Sequence, residues 1–364
     1  MRIVIFGLSL TSSWGNGHAT TYRSLVKGLA LCGHDVTFLE RDVPWYAENR
    51  DLWEFDYCTL GLYDSLDELA RDHGRTIADA DVVMVGSYVP EGIRLLDWLR
   101  QRRHDSLCFY DIDTPVTLEA LEHGTCEYLR PDQIGGFDIY FSFAGGAALS
   151  RLAELGARRP RALYCSVDTK LYHPPDPAQQ APAAGGWELG YMGTYAADRQ
   201  PVVERLLLEV ARRRPEQRFV IAGPGYPDAD AWPANVEWLP HVAPAEHGAF
   251  YGRQRFTLNA TRAAMVALGC SPSVRLFEAA ACATCIVSDR WPGLEEVLEP
   301  GEEVLVADST EELLALLEAV SPQRAAAIGR AARARVVREH SHLQRAEYLV
   351  GCLREPVEMR RVAT

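Results

Sequence analysis

The strongest constraint on this chain is a pattern that runs out and then begins again. Short apolar runs alternate with helical stretches through the first half of the sequence. His173–Gly186 (HPPDPAQQAPAAGG) interrupts them without any periodicity, and the alternation then restarts. A Pro-, Ala-, Gln- and Gly-rich interruption of that kind reads as a linker. Strand-like runs precede it at Arg2–Phe6, Asp35–Leu39, Val82–Gly86, Leu107–Tyr110, Ile139–Phe143 and Ala162–Cys165. Others follow it at Leu189–Met192, Phe219–Ala222, Val236–Leu239, Phe256–Asn259, Cys285–Ser288 and Glu303–Val306. Tyr22, Leu25, Val26, Leu29 and Ala30 keep one-face helical spacing, and further helical patterns cover Val202–Arg213, Val274–Ala283 and an Ala- and Arg-rich tail, Pro322–Leu353. Strands separated by helices favour parallel sheets covered on both faces. The expectation is an α/β chain of two Rossmann-like domains, 1–172 and 188–340, joined by a linker at 173–187 and followed by 341–364, with a cleft between the sheets.

At 364 residues the chain exceeds one ordinary core and suits two. Its net charge of −13 opposes a nucleic-acid surface spread over the molecule, yet leaves room for a local basic pocket. The apolar run from Arg2 ends at Gly7, too short for a signal peptide, and no stretch approaches the roughly 20 residues that span a bilayer. Nine cysteines without a disulfide-like spacing fit a reducing cytoplasm. Cys282 and Cys285 form a Cys-x-x-Cys pair between an alanine-rich helix and a strand. It has no second pair, which favours buried small residues over a zinc or redox site.

In open parallel sheets, ligands bind where strands end and helices begin, and four strand ends carry chemistry. In Gly7–Thr20, Gly15 and Gly17 flank Asn16, which lets backbone amides approach an anion at a helix start. The dinucleotide fingerprint is absent there, and a plain connecting loop is the alternative. His18 is a candidate base, or a partner for a phosphate or sugar hydroxyl, against a solvated helix-start histidine. In Tyr110–Pro115, Asp111 and Asp113 alternate and meet one ligand only if the chain turns there. They also match the Asp-x-Asp string by which GT-A enzymes hold a metal. The preferred reading makes Asp113 a hydroxyl-binding or proton-accepting group, with helix capping as the alternative.

Gly193, Thr194 and Tyr195 form the third turn. Beyond it Arg199 stands at a helix start, where a cation is unfavourable unless an anion is bound; an exposed pair with Glu204 is the alternative. In the fourth, Ser273 is placed to cap a helix whose free amides, that of Val274 among them, meet a phosphate. Glu278, one turn further in, is costly to bury without partners. A ribose diol would supply them, and so would a salt bridge to Arg275. Trp14, Asp111 and Thr114 are the acceptor-side candidates. Trp14, with Trp45, Tyr46 and Trp53, offers ring faces for stacking or plain packing.

In this order the pieces resemble the retaining GT-B glycosyltransferases of the glycogen synthase and sucrose synthase superfamily, and within it the CgeB-like (spore maturation protein type) bacterial branch. Tyr164–Pro174 (YCSVDTKLYHP) is similar to the strand end that leads into the second domain. Gly193 onward is similar to the "G-R-L-x-P-x-K-G" turn, with Thr194 for its arginine and Arg199 where its phosphate-binding lysine falls. Val220–Pro224, containing Gly223 and Pro224, resembles "V-G-x-G-P", and Pro272–Asp289 (PSVRLFEAAACATCIVSD) resembles the helix whose glutamate binds ribose. The family's other glutamate, eight positions earlier, is replaced by Cys270.

The resemblance implies GT-B architecture with an acceptor-binding first domain, a donor-binding second, and a C-terminal helix near Ala346–Leu353 packed back on the first. It implies that Glu278 binds the ribose, that Arg199 and the Ser273–Val274 amides bind the diphosphate, and that the Gly15–Gly17 loop closes over it. The activity implied is metal-independent transfer of a sugar from a UDP- or dTDP-linked donor to a small-molecule, glycan or protein acceptor, with no cofactor and with His18 and Asp113 as the candidate bases. Two other readings stand beside it: a nucleotide-sugar 2-epimerase or hydrolase, and a non-catalytic carbohydrate-binding protein on a decayed scaffold.

Overall fold

A computed structural model describes residues 1–175, 186–227 and 229–355. Most of the 173–187 linker, residues 176–185, and the last nine residues of the 341–364 segment lie outside these described residues.

Two parallel sheets form the chain. The first holds seven strands: β1 (Arg2–Gly7), β2 (Asp35–Arg41), β3 (Thr59–Tyr63), β4 (Val82–Gly86), β5 (Leu107–Asp111), β6 (Ile139–Ser142) and β7 (Pro160–Ala162). The second holds six: β8 (Trp187–Met192), β9 (Phe219–Ala222), β10 (Val236–Leu239), β11 (Gln254–Asn259), β12 (Cys285–Ser288) and β13 (Leu305–Val306). Their orders are β3-β2-β1-β4-β5-β6-β7 and β10-β9-β8-β11-β12-β13. Each order reverses direction once, between β1 and β4 and between β8 and β11, and such switch points open a crevice at the carboxyl ends of the strands. Buried strands account for the apolar runs: β4 and β5 are buried at every position.

The elements differ from the sequence reading in several places, and the strand expected at Glu303–Val306 is only Leu305–Val306. β3, an edge strand with partly exposed residues, has no apolar run to announce it. The strand expected at Ala162–Cys165 forms earlier, at Pro160–Ala162. The helical stretch after Arg199 passes through a π-helical turn at Glu204–Leu208. The tail is two helices, Pro322–Glu339 and His342–Arg354, because the Ser341 side chain accepts from the Gln344 amide and starts a new helix.

That last helix returns to the first lobe. His342 N donates to Val167 O at 3.0 Å, and Arg159 reaches the Cys352 carbonyl at 2.9 Å. A Cβ on Gly28, in α1 (Gly17–Leu31), would lie 2.1 Å from the His342 carbonyl oxygen, so only glycine lets the two backbones meet. One apolar cluster crosses both lobes, with Tyr22, Phe38, Tyr172, Leu276, Phe277 and Leu349 in it. Cys282 and Cys285 are buried and unpaired. No helix among the described residues is long and apolar enough to cross a membrane.

Candidate active site

The two crevices face each other and enclose a cavity of about 560 Å³. Gly15, Asn16, Gly17, His18 and Asp113 line it from the first lobe. Gly193, Thr194, Tyr195 and Arg199 line it from the second, as do Gly223, Pro224, Ser273, Val274 and Glu278. The loop after β1 crosses to the opposite lobe: ideal Cβ atoms on Gly15 and Gly17 would lie 3.7 Å from Thr194 Oγ1 and Val274 Cγ2. Gly223, at φ +142°, leaves no room for a side chain, since a Cβ would meet the Gly193 carbonyl oxygen at 2.2 Å. The turns after β8 and β9 therefore touch, with Gly193 N donating to Ala222 O at 2.8 Å and Tyr195 N to Pro224 O at 3.0 Å.

His18 is buried, not solvated. Its Nε2 lies 2.8 Å from Asp113 Oδ2. Asp113 begins α2 (Thr114–Glu122) but makes no side-chain cap, because its carboxylate is turned to the histidine. Burial would raise the Asp113 pKa. The His18 hydrogen bond and the charges of His18, Arg262 and Arg199 outweigh it and hold the pKa below the usual carboxylate value. A carboxylate only accepts, so Nε2 carries the proton of this bond, and in its neutral form the ring has its lone pair on Nδ1. Nδ1 is buried and has no hydrogen-bond partner among the described residues. Tyr88, a cavity residue held at φ +61°, stands edge-on to the imidazole with ring centroids 5.7 Å apart.

The acceptor-side candidates fare differently. Asp111 is fully buried under the cavity floor, accepting from Thr117 Oγ1 at 2.7 Å and Tyr140 OH at 2.9 Å, and burial lifts its pKa to about 6. Strand β5 continues through Asp111, so its side chain and that of Asp113 enter separate surroundings. Thr114 is buried too, bonded to the Asp111 carbonyl and to Ser142 Oγ. Trp14 does not line the cavity; its ring packs on His241 of the second lobe, 4.7 Å between centroids. Tyr46 reaches the cavity, whereas Trp45 and Trp53 are exposed outside it.

On the second lobe, Arg199 is not paired with Glu204, which binds Arg212 instead. Arg199 donates from Nη2 to the Thr194 carbonyl at 3.0 Å, and its buried Nε has no hydrogen-bond partner among the described residues. Burial and the like charges of Arg275 and Arg262 lower its pKa. Asp198 pairs with Arg262 at 3.2 Å. Ser273 Oγ donates to Asn259 Oδ1 at 2.6 Å and makes no cap, so the first amides of α3 (Val274–Ala281) have no side-chain partner. Arg275 turns away from Glu278, reaching the Met192 carbonyl and Asn259. The sequence reading missed Arg262 and Arg275, which line the cavity beside Arg199. Nothing local to either residue signals that the three converge.

Cys270 points out of the cavity, at φ +44°. Its Sγ lies 3.6 Å from Glu296, and its carbonyl accepts from Gly145 N at 2.8 Å.

Glu278 is buried beside the Thr20, Tyr172 and Tyr251 hydroxyls. Burial raises its pKa to about 7, against the opposing pull of Arg275 and those hydroxyls. The native state thus holds this proton more tightly than the unfolded chain. Stability from this group falls as pH rises from about 4.5 to about 7 and is level above that. At pH 8 the charge costs on the order of 3 kcal/mol. Glu278→Gln is expected to melt above the wild type at pH 8, with the difference shrinking toward zero near pH 4.5. A pH-independent difference in melting temperature would contradict this.

Residues 199–351 match the glycosyl transferase-like family. That match covers less than half of the chain, which as a whole has the GT-B fold. Sucrose-phosphate synthase from Thermosynechococcus elongatus is 15% identical and superposes on 97% of this chain and 98% of its own, with a TM-score of 0.73. Anabaena HepE in complex with UDP and glucose is 13% identical over 97% and 99%, with a TM-score of 0.67. An E. coli trehalose-6-phosphate protein bound with UDP-2-fluoro glucose is 13% identical over 98% and 100%, with a TM-score of 0.65. At these identities the likeness establishes the fold. No curated protein sequence matches the chain.

Proposed function

We propose that this glycosyltransferase moves a sugar from a UDP-linked donor to an acceptor hydroxyl without a bound metal. The observation that carries the reading is the partly buried Arg199 guanidinium, whose buried Nε has no hydrogen-bond partner among the described residues, in one cavity with the His18–Asp113 pair. UDP is favoured as the donor nucleotide because HepE has been solved with UDP and with UDP-glucose. The second lobe holds the donor, with the diphosphate on Arg199 and the α3 amides and the pentose on Glu278; the first lobe receives the acceptor. Its hydroxyl proton passes to His18 Nδ1 as the oxygen bonds the anomeric carbon. The bond from that carbon to the diphosphate breaks, and UDP leaves with its growing charge set against Arg199, Arg262 and Arg275. Donors fixed in advance around developing charge are an effective form of catalysis. The Tyr164–Pro174 and Pro272–Asp289 motifs favour the CgeB-like branch, and nine unpaired cysteines favour the cytoplasm.

Incubation with a UDP-sugar panel and a hydroxyl acceptor tests this. Glycosylated product is expected, at an unchanged rate in chelator. Activity lost in chelator and restored by manganese would return Asp111 and Asp113 to the metal reading. Epimer or free sugar formed from the donor alone would replace transfer by epimerisation or hydrolysis.

A further inference from the structure

His247 opens the helix His247–Gly252 after β10. It lines the same cavity, is 7% exposed, and stands 3.7 Å from Glu278, measured from Nδ1 to Oε2. Its Nε2 lies 3.2 Å from the Val242 carbonyl oxygen. A carbonyl oxygen accepts and never donates, so Nε2 carries the hydrogen and the neutral ring has its lone pair on Nδ1. Burial pushes the ring's pKa down to about 4, which keeps it neutral at physiological pH. Nδ1 is buried and has no hydrogen-bond partner among the described residues.

Two acceptors thus sit side by side on the cavity wall. The Glu278 carboxylate has the Thr20, Tyr172 and Tyr251 hydroxyls beside it as nearby donors. Nδ1 of His247 has none. A single ligand hydroxyl would satisfy one of the two and leave the other a desolvated lone pair, which is costly. Hydroxyls on adjacent carbons would satisfy both.

We infer that His247 is a specificity-determining residue that reads one hydroxyl of the donor's pentose while Glu278 takes its neighbour, so that the site selects ribonucleotides over 2′-deoxyribonucleotides. This rests on the assignment of Glu278 to the pentose and deepens it: it sets UDP-linked donors above dTDP-linked ones. A site built to hydrogen-bond a hydroxyl rejects an analogue that lacks it, because its own buried group is then left unpaired.

The test is calorimetric titration of the full chain with UDP and with 2′-deoxyuridine diphosphate, which share base and phosphates. Wild type is expected to bind UDP roughly 10- to 100-fold more tightly, the effect of one buried acceptor left bare. His247→Ala is expected to weaken UDP and bring the two affinities together. His247→Asn, which can keep both an amide donor toward Val242 and an acceptor toward the ligand, is expected to restore part of the gap. UDP and its deoxy analogue binding wild type equally would overturn the inference while leaving the donor site in place. Neither nucleotide binding would overturn both. Equal binding of the two nucleotides by wild type overturns the inference even where His247→Ala fails to fold, and His247→Asn then carries the assignment to this ring.

Discussion

Replacing His18 by alanine is expected to lower turnover by about 10²–10⁴, the range for removing a positioned general base, while UDP affinity is unchanged. The split follows from where the ring stands. Asp113 accepts from Nε2 at 2.8 Å and is held in its charged form, so it fixes the tautomer that leaves Nδ1 bare and favours the imidazolium formed when the acceptor gives up its proton. In the proposed site the diphosphate is held by the other lobe, which the substitution does not touch. Asp113→Asn is expected to cost rate in the same direction, because the amide brings no charge to stabilise the protonated ring. Single-turnover rates with saturating donor check both variants. A His18→Ala rate within a few-fold of wild type would remove the imidazole from the chemistry.

Arg199→Ala is expected to have the largest effect on the nucleotide itself. A charge-assisted hydrogen bond contributes about 1.5–3 kcal/mol, which is roughly 10- to 150-fold in Kd. Arg199→Lys is expected to recover only part of it, since the ammonium keeps the charge but lacks the planar fork. The free protein should respond in the opposite sense. Arg199 is partly buried, pairs with no carboxylate among the described residues, and sits near Arg262 and Arg275; its lowered pKa records its desolvation and that repulsion. Removing it is therefore expected to leave the melting temperature of the free protein unchanged or raised while UDP affinity falls. Equal loss of both would make Arg199 a structural residue.

The sequence announced the lobes because buried parallel strands are continuous apolar runs; β4, β5, β9 and β12 lie at or within one residue of where those runs fall. It announced the strand-end residues because the fold places such ends around its crevice. Geometry within a turn was harder to read. Asp111 and Asp113 look equivalent in sequence, yet β5 continues through the first and buries it, and the chain turns before the second. Ser273 was legible as a helix start but not as a partner of Asn259, which lies on a separate strand. Arg262 and Arg275 gain meaning only beside Arg199, and His247 only when its ring meets Glu278. The break at Ser341 was written in the sequence, as a serine followed three residues later by Gln344.

The central claim is that one small molecule joins Arg199 to Glu278. A crystal structure of the chain grown with UDP tests it most directly. Density is expected with a phosphate oxygen in hydrogen-bond contact with the Arg199 guanidinium and a ribose hydroxyl on the Glu278 carboxylate. UDP bound elsewhere, or lying in the cavity with Arg199 and Glu278 both untouched, would contradict the account.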